Sequence, residues 1–326
     1  MPIATLNPVI EADAAAICKE LSGTLEALSG ATLLITGGSG FLCSYLLETV
    51  ARLNDDVLAK PCRAISVDNL RSGVAERTAH LTERPDFRFI AHDVSQPLSI
   101  GEPVDWIVHG AGIASPTFYR RYPLETIDVN VSGTRQMLDL ARQTNARSLL
   151  YISTSEIYGD HDAAHIPTRE DYRGNVSCTG PRACYDESKR MAETLCWVYH
   201  QLYGTPVKVI RPFNVYGPGQ RLDDKRIIPD LISAALERRP IELFSDGGAT
   251  RSFCYVSDAI RALWHILLSD ANGEAFNVGS DEREISIREL AEVVRQVAGP
   301  PRLDISHRTS EDKHYLTDNP RRRCPD

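Results

Sequence analysis

The chain has 326 residues, 42% of them hydrophobic and 25% charged, an ordinary composition for a soluble protein able to bury a sizeable core. Its net charge of −8 leaves no footprint for nucleic acid, so no nucleic-acid partner is expected. Any anionic ligand must be met by a local cluster of arginines. No apolar run approaches bilayer length, and no membrane partner is expected.

In chain order, residues 9–28 carry apolar side chains at Ile10, Ala14, Ile17, Leu21, Leu25 and Leu28. That spacing predicts an amphipathic helix packed on the body, a helical extension over 1–30. Its charges (Glu11, Asp13, Lys19, Glu20, Glu26) do not fit the basic-then-apolar layout of a signal peptide. The apolar run Ala31–Ile35 then reads as a strand that opens into Thr36-Gly37-Gly38-Ser39-Gly40-Phe41-Leu42. Such a turn offers backbone amides and a helix N-terminus to a pyrophosphate. Gly37 and Gly40 fill two of the small-residue positions of the dinucleotide pattern, and Cys43 stands at the third.

Further strands are predicted over Arg63–Val67, ending in Asp68, over Phe87–Ile90, ending in Asp93, and over Trp106–His109, ending in Gly110. A carboxylate at Asp68 accepts from ribose hydroxyls and repels a 2′-phosphate, which favours NAD over NADP, with Arg71 softening the preference. The loop with Asn69, Ser72 and Gly73 follows it on the cofactor side. Asp93 and Val94 are placed beside the adenine, and Ala111, between two glycines, lets the backbone approach the cofactor.

A helix over Val131–Gln143, a strand over Leu149–Ser153, a helix containing Tyr185 and a strand over Val207–Arg211 continue the alternation. Strands separated by helices predict an α/β fold, a Rossmann-type doubly wound parallel sheet, over 31–212. From Pro212 the density of Pro and Gly rises, and a smaller, mixed α/β substrate domain is predicted over 213–326. Ligands in such folds bind at the carboxyl ends of the strands, between the two parts. The eight cysteines are scattered without a Cys-x-x-Cys pair, so reduced thiols and a cytoplasmic location are expected. His161 and His165 lie in a predicted loop with no third ligand, and no metal site is expected.

Tyr185 and Lys189 are four residues apart, on one face of their helix. An ammonium there favours the ionised phenol. With the glycine turn upstream, the pair points to a nicotinamide dinucleotide beside a tyrosine base, the equipment for oxidising an alcohol. The strand ending at Ser153 delivers Thr154-Ser155-Glu156 to its carboxyl end. A hydroxyl there shares the substrate proton, and a carboxylate acts on a neighbouring carbon.

From about residue 31 onward the chain resembles the extended short-chain dehydrogenase/reductases that modify nucleotide sugars. Among their branches it looks most like the UDP-glucuronate decarboxylases. The resemblance rests on Ser153-Thr154-Ser155-Glu156-Ile157-Tyr158-Gly159-Asp160, Gly174-Asn175-Val176 and Gly180-Pro181-Arg182-Ala183-Cys184-Tyr185-Asp186-Glu187-Ser188-Lys189-Arg190. Ala114-Ser115-Pro116 with Tyr119, Thr250-Arg251-Ser252-Phe253 and Arg322-Arg323-Cys324-Pro325-Asp326 continue it.

The resemblance implies NAD as cofactor, Tyr185 as base, Lys189 as its tuner and ribose anchor, and Thr154 as hydroxyl partner. Ser155 and Glu156 would face sugar C5 and C6, with Arg323 near the carboxylate. Ser115 and Tyr119 would contact the substrate, while Asn214, Arg226 and Arg251 would grip its diphosphate. It further implies a UDP-linked substrate and a homodimer joined through a four-helix bundle. A nucleotide-sugar 4,6-dehydratase and a 4-epimerase use the same C4 oxidation and stay open. A dinucleotide-binding regulatory protein without catalysis is disfavoured, because Tyr185, Lys189, Thr154 and Glu156 are present together.

Overall fold

The computed structural model describes residues 6–160 and 162–308. Asn7 caps the first helix, α1 (Pro8–Leu25), by accepting from the Val9 amide at 2.9 Å, with Pro8 in the first turn. Both features favour a helix start, since the cap satisfies an orphan donor and proline has none to lose. The buried face of α1 carries Ala14, Ile17, Cys18, Leu21 and Leu25, the stripe that the apolar spacing predicts.

Six strands follow: β1 (Thr32–Thr36), β2 (Arg63–Asp68), β3 (Phe87–Ala91), β4 (Trp106–His109), β5 (Ser148–Ile152) and β6 (Val207–Pro212). Shorter strands come later: β7 (Val215–Tyr216), β8 (Ile241–Leu243), β9 (Thr250–Ser252), β10 (Cys254–Tyr255), β11 (Ala275–Val278), β12 (Glu284–Ser286) and β13 (Ile305–His307). The main sheet runs β11-β6-β5-β4-β1-β2-β3, seven strands among the described residues. Every pairing in it is parallel. Leu33 lies opposite Ala64 on β2 and Trp106 on β4. The strand order reverses between β1 and β4, and a ligand crevice opens at such a reversal.

β4 and β5 are buried along their whole length, as strands covered by helices on both faces must be. One face packs Leu33, Ile35, Val108 and Leu150 against α1, α2 (Phe41–Asp56) and α8 (Val256–Leu268). The other packs Leu34, Ile65, Ile107 and Leu149 against α5 (Thr134–Thr144) and α6 (Ala183–Tyr203). Two short helices, α3 (Pro116–Arg121) and α4 (Pro123–Asp128), precede α5. α7 (Ile227–Leu236) and α9 (Ile287–Ala298) enclose a separate small core with Leu231, Ile241, Leu243, Ala291 and Leu303.

Two features go beyond the sequence reading. After the crossover at Pro212 the chain returns to the main sheet, because β11 pairs with β6 and α8 covers its face. The segment predicted as a plain helix from Val131 begins instead with a π-turn over Val129–Gly133. Turns of this kind place a side chain out of helical register and recur at functional sites.

Candidate active site

The carboxyl ends of β1, β4, β5 and β6 converge on one large cleft of about 1610 Å³, continuous with a smaller pocket beside β2 and β3. Thr154, Ser155, Glu156, Tyr185 and Lys189 line the cleft, together with Ser115, Tyr119, Asn214, Arg226 and Arg251. Gly37, Gly40 and Ser72 border both spaces, Phe41 and Leu42 border the cleft, and Asp68, Asn69, Gly73, Asp93, Val94 and Ala111 line the smaller pocket. Arg323 lies outside the described residues.

The cradle at β1 has the build a dinucleotide needs. Gly37 takes φ +72°, and a Cβ there would come 2.8 Å from the Ala111 backbone, so only glycine fits. Cys43 at the third small-residue position is accommodated by a glycine on another strand. A Cβ on Gly110 would stand 2.3 Å from the Cys43 sulfur. At the far end Asp68 accepts from the Ser39 and Leu70 amides at 3.1 and 2.8 Å. Burial raises its pKa, and those amides oppose the rise. Arg71 is engaged elsewhere, with Glu125 at 3.0 Å and over the Tyr122 ring. It is therefore not held for a 2′-phosphate, and the residues present fit NAD.

On α6, Tyr185 is 5% exposed and Lys189 3%. The phenol is hydrogen-bonded with Thr154, and its ring stacks on Tyr119 at 5.3 Å between centroids. Burial raises the Tyr185 pKa, while the Thr154 bond pulls it down. Lys189 donates to the Ile152 carbonyl at 2.8 Å. Burial lowers it to about 8, with Glu193 acting in the opposite direction. Within the site as folded, burial thus dominates the phenol more than Lys189 does, and ionising Tyr185 calls for further positive charge.

Glu156 accepts from Arg182, which also pairs with Asp186 at 3.2 Å. Tyr119 is buried, its phenol is pushed up to about 12 by burial, and its hydroxyl has no hydrogen-bond partner among the described residues. Arg226 pairs with Asp224 at 3.0 Å and donates to the Ala114 carbonyl at 3.1 Å. Its charge pulls the Tyr185 phenol down. Asn214 donates to the Ser252 carbonyl at 3.1 Å, and Arg251 is buried beside it on β9.

Several polar residues around the site escaped the sequence reading. Ser153 donates to Glu193 at 2.5 Å, and Arg211 grips the same carboxylate at 2.7 Å. Glu193 is one turn beyond Lys189, a spacing that could have flagged it. Asn130 comes from the π-turn, donates to Ser188 at 2.9 Å and keeps an Oδ1 without a partner among the described residues. A Cβ on Gly112 would lie 3.2 Å from that oxygen and 3.3 Å from Lys189 Nζ. Both polar atoms therefore face the gap that Gly112 leaves. No motif marks Asn130, because the π-turn that aims it has no sequence signature.

Residues 33–279 match the family model described as the NAD dependent epimerase/dehydratase family. UDP-glucuronic acid decarboxylase 1 of Arabidopsis thaliana is 40% identical over 294 residues, 90% of this chain and 63% of that protein. UDP-glucuronic acid decarboxylase 6 of the same plant is 40% identical over 300 residues, 91% of this chain and 81% of that protein. Among solved structures, a dTDP-glucose 4,6-dehydratase from Streptomyces venezuelae with NAD and TYD bound superposes with a TM-score of 0.77. It is 25% identical, over 90% of this chain and 88% of that one. The glycine cradle, the Asp68 carboxylate and the Tyr185–Lys189 pair stand within this matched region, and the chain belongs to the NAD-dependent epimerase/dehydratase family.

Proposed function

We propose that the protein decarboxylates UDP-glucuronate to UDP-xylose, oxidising the sugar at C4 and reducing it again in the same site. The observation that carries the reading is the buried Tyr185 phenol, bonded with Thr154 and lining one cleft with the glycine cradle and the Glu156–Arg182 pair. The names of the plant relatives support the choice of substrate.

NAD supplies an acceptor for the C4 hydride and later its donor. Tyr185 takes the proton of the sugar 4-hydroxyl, and Thr154 holds the phenol oxygen for that transfer. The Lys189 ammonium, and the positive charge that oxidised NAD would supply beside it, favour the phenolate against the burial that opposes it. A ketone at C4 makes the C6 carboxylate a β-keto acid. The C5–C6 bond then breaks, CO₂ leaves, and the electron pair rests as an enolate on the C4 oxygen. Protonated Tyr185 donates to that oxygen. A proton from water enters at C5, and Tyr185, which keeps its proton while hydrogen-bonded to the enolate oxygen, returns it to the C4 oxygen as C4 is reduced.

Ser155, beside Glu156 in the cleft, is a weak acid for protonating a departing C6 hydroxyl, which favours this outcome over dehydration. Asn214, Arg226 and Arg251 hold the nucleotide diphosphate, a task suited to planar guanidinium groups. The test is incubation with UDP-glucuronate and NAD⁺, read by the mass of the sugar nucleotide. Loss of CO₂ by the wild type but not by Tyr185→Phe is expected. Loss of water would mark a dehydratase, and unchanged mass with a new retention time an epimerase.

A homodimer in the cytoplasm belongs to the same proposal. Leu124 on α4 and Met191, Trp197 and Leu202 on α6 are exposed at 71%, 50%, 59% and 67%. An apolar set of this size on neighbouring helices is the signature of an interface. The expected mass in sedimentation is twice that of the chain, and Leu202→Glu should halve it.

A further inference from the structure

The loop Gly217–Arg221 follows β7 on the substrate side of the cleft, yet it lies across the cofactor turn. Arg77, closing a 3-10 turn over Ala75–Arg77, holds it there. Its Nε and Nη2 donate to the Gly219 carbonyl at 3.0 and 2.6 Å, and its Nη1 donates to the Ser39 carbonyl at 2.8 Å. Ser39 belongs to the glycine turn, and its own amide donates to Asp68. One planar guanidinium therefore joins the diphosphate-binding turn to a loop 142 positions away in sequence. A rigid fork is suited to bridging two fixed acceptors, which a single ammonium cannot do.

The loop is shaped for this seat. Gly219 has φ +87°, where other residues are strained, and a Cβ there would stand 3.7 Å from Ile10 Cδ1 and 3.9 Å from Phe41 Cδ2. The loop thus rests on the first residue of α2 and on α1. Gln220 ties its other limb back to the Val215 carbonyl at 3.1 Å. Gly40, Phe41, Arg77, Gln220 and Arg221 all border the cleft.

We propose that Arg77 is a positioning residue that latches the Gly217–Arg221 loop over the cofactor turn and so slows the escape of bound NAD. This rests on the reading above, in which the hydride taken from C4 returns to the same sugar. Such a cycle leaves the cofactor oxidised after every turnover and never requires its exchange. A latch made by backbone carbonyls and one guanidinium closes the exit without contributing a group to the chemistry.

The test measures release of radiolabelled NAD⁺ from the full-length protein, chased with unlabelled NAD⁺, for wild type, Arg77→Ala and Arg77→Lys. Breaking charge-assisted bonds to two carbonyls should speed release from Arg77→Ala by about tenfold or more. Arg77→Lys keeps the charge but spans only one acceptor, so it should release NAD nearly as fast as Arg77→Ala. In turnover, the concentration of NAD⁺ giving half-maximal rate should rise by a larger factor than kcat falls. Wild-type release from Arg77→Ala overturns the latch. Wild-type release from Arg77→Lys also overturns it, since charge alone would then suffice. A wild-type protein that binds no NAD overturns both this inference and the functional reading, whereas slow wild-type release unaffected by Arg77 overturns the latch alone.

Discussion

Cys43 and Gly110 should behave as one unit. Gly110 does not take a left-handed φ. Gly110→Ala therefore meets side chains rather than backbone strain. Its Cβ would lie 2.3 Å from Cys43 Sγ, 3.1 Å from Ile152 Cδ1 and 3.3 Å from the Thr36 carbonyl oxygen. Cys43 is 2% exposed and donates to the same carbonyl at 3.7 Å, which leaves the sulfur little room to turn away. Overpacking of this kind costs about 1–3 kcal/mol. The stiffer unfolded chain returns roughly 0.4–1 kcal/mol. Cys43→Ala alone removes a buried sulfur, at a cost of about 1 kcal/mol, the low end for loss of a buried group. In the double variant the added methyl occupies the space the sulfur vacates. Urea unfolding of all four proteins should then give a coupling energy of roughly 1–2 kcal/mol in favour of the pair. NAD affinity should fall in Gly110→Ala and recover in the double variant. Additivity within about 0.5 kcal/mol would refute the claim that Gly110 makes room for Cys43.

Other consequences can be measured separately. Burial lowers both Lys189 and Lys208 from 10.5 to about 8. Between about pH 8 and 10.5 the unfolded chain keeps lysine protons that the folded one has lost, so these two groups contribute a stability that rises with pH. It is opposed from about pH 9 upward by buried thiols such as Cys43 and Cys62, which burial raises from 9.0 to about 12. Lys208 is buried on β6, bonded to Ser148 at 2.8 Å, and Lys208→Met should make the slope of urea-unfolding stability against pH less positive across that window; an unchanged slope would contradict the assignment. Asp68→Asn removes the charge that repels a 2′-phosphate, and should narrow the preference for NAD over NADP roughly tenfold in equilibrium titration. Ile17 is fully buried between α1 and the body, and Ile17→Ala should cost about 2–5 kcal/mol in the same unfolding assay.

Much of the fold was legible because its strands announce themselves. Ala31–Ile35, Arg63–Val67 and Trp106–His109 are short apolar runs, each leading into a small or acidic residue, and each matches a strand of the main sheet within a residue or so of its predicted limits. α1 was equally plain, since one stripe of apolar residues is all that its packing requires. The return of β11 to the main sheet was hidden, because Ala275–Val278 follows a stretch rich in turns and its partner β6 is far away in sequence.

The site divides in the same way. Residues fixed by local spacing, such as Gly37, Thr154, Tyr185 and Lys189, were found from the sequence, and the cleft brings them together. Those that depend on tertiary approach were not. Arg182 stands in a motif that gives it no evident task, and only the fold brings it against Glu156 and Asp186. Asn130 owes its aim to the π-turn, and Arg77 owes its role to a loop from the other half of the chain. Thr154 is hydrogen-bonded with the Tyr185 phenol, while burial works against ionisation and Lys189 is turned toward the Ile152 carbonyl.

The central claim is that one site oxidises C4, releases CO₂ and hands the same hydride back. Turnover of UDP-glucuronate carrying deuterium at C4 tests it directly, with the product read by mass and proton NMR. The pentose product should keep the deuterium at C4, and when ordinary substrate is turned over in D₂O it should gain one at C5. A product that retains its carboxylate, or one whose C4 label has passed to added unlabelled NAD⁺, would contradict the account.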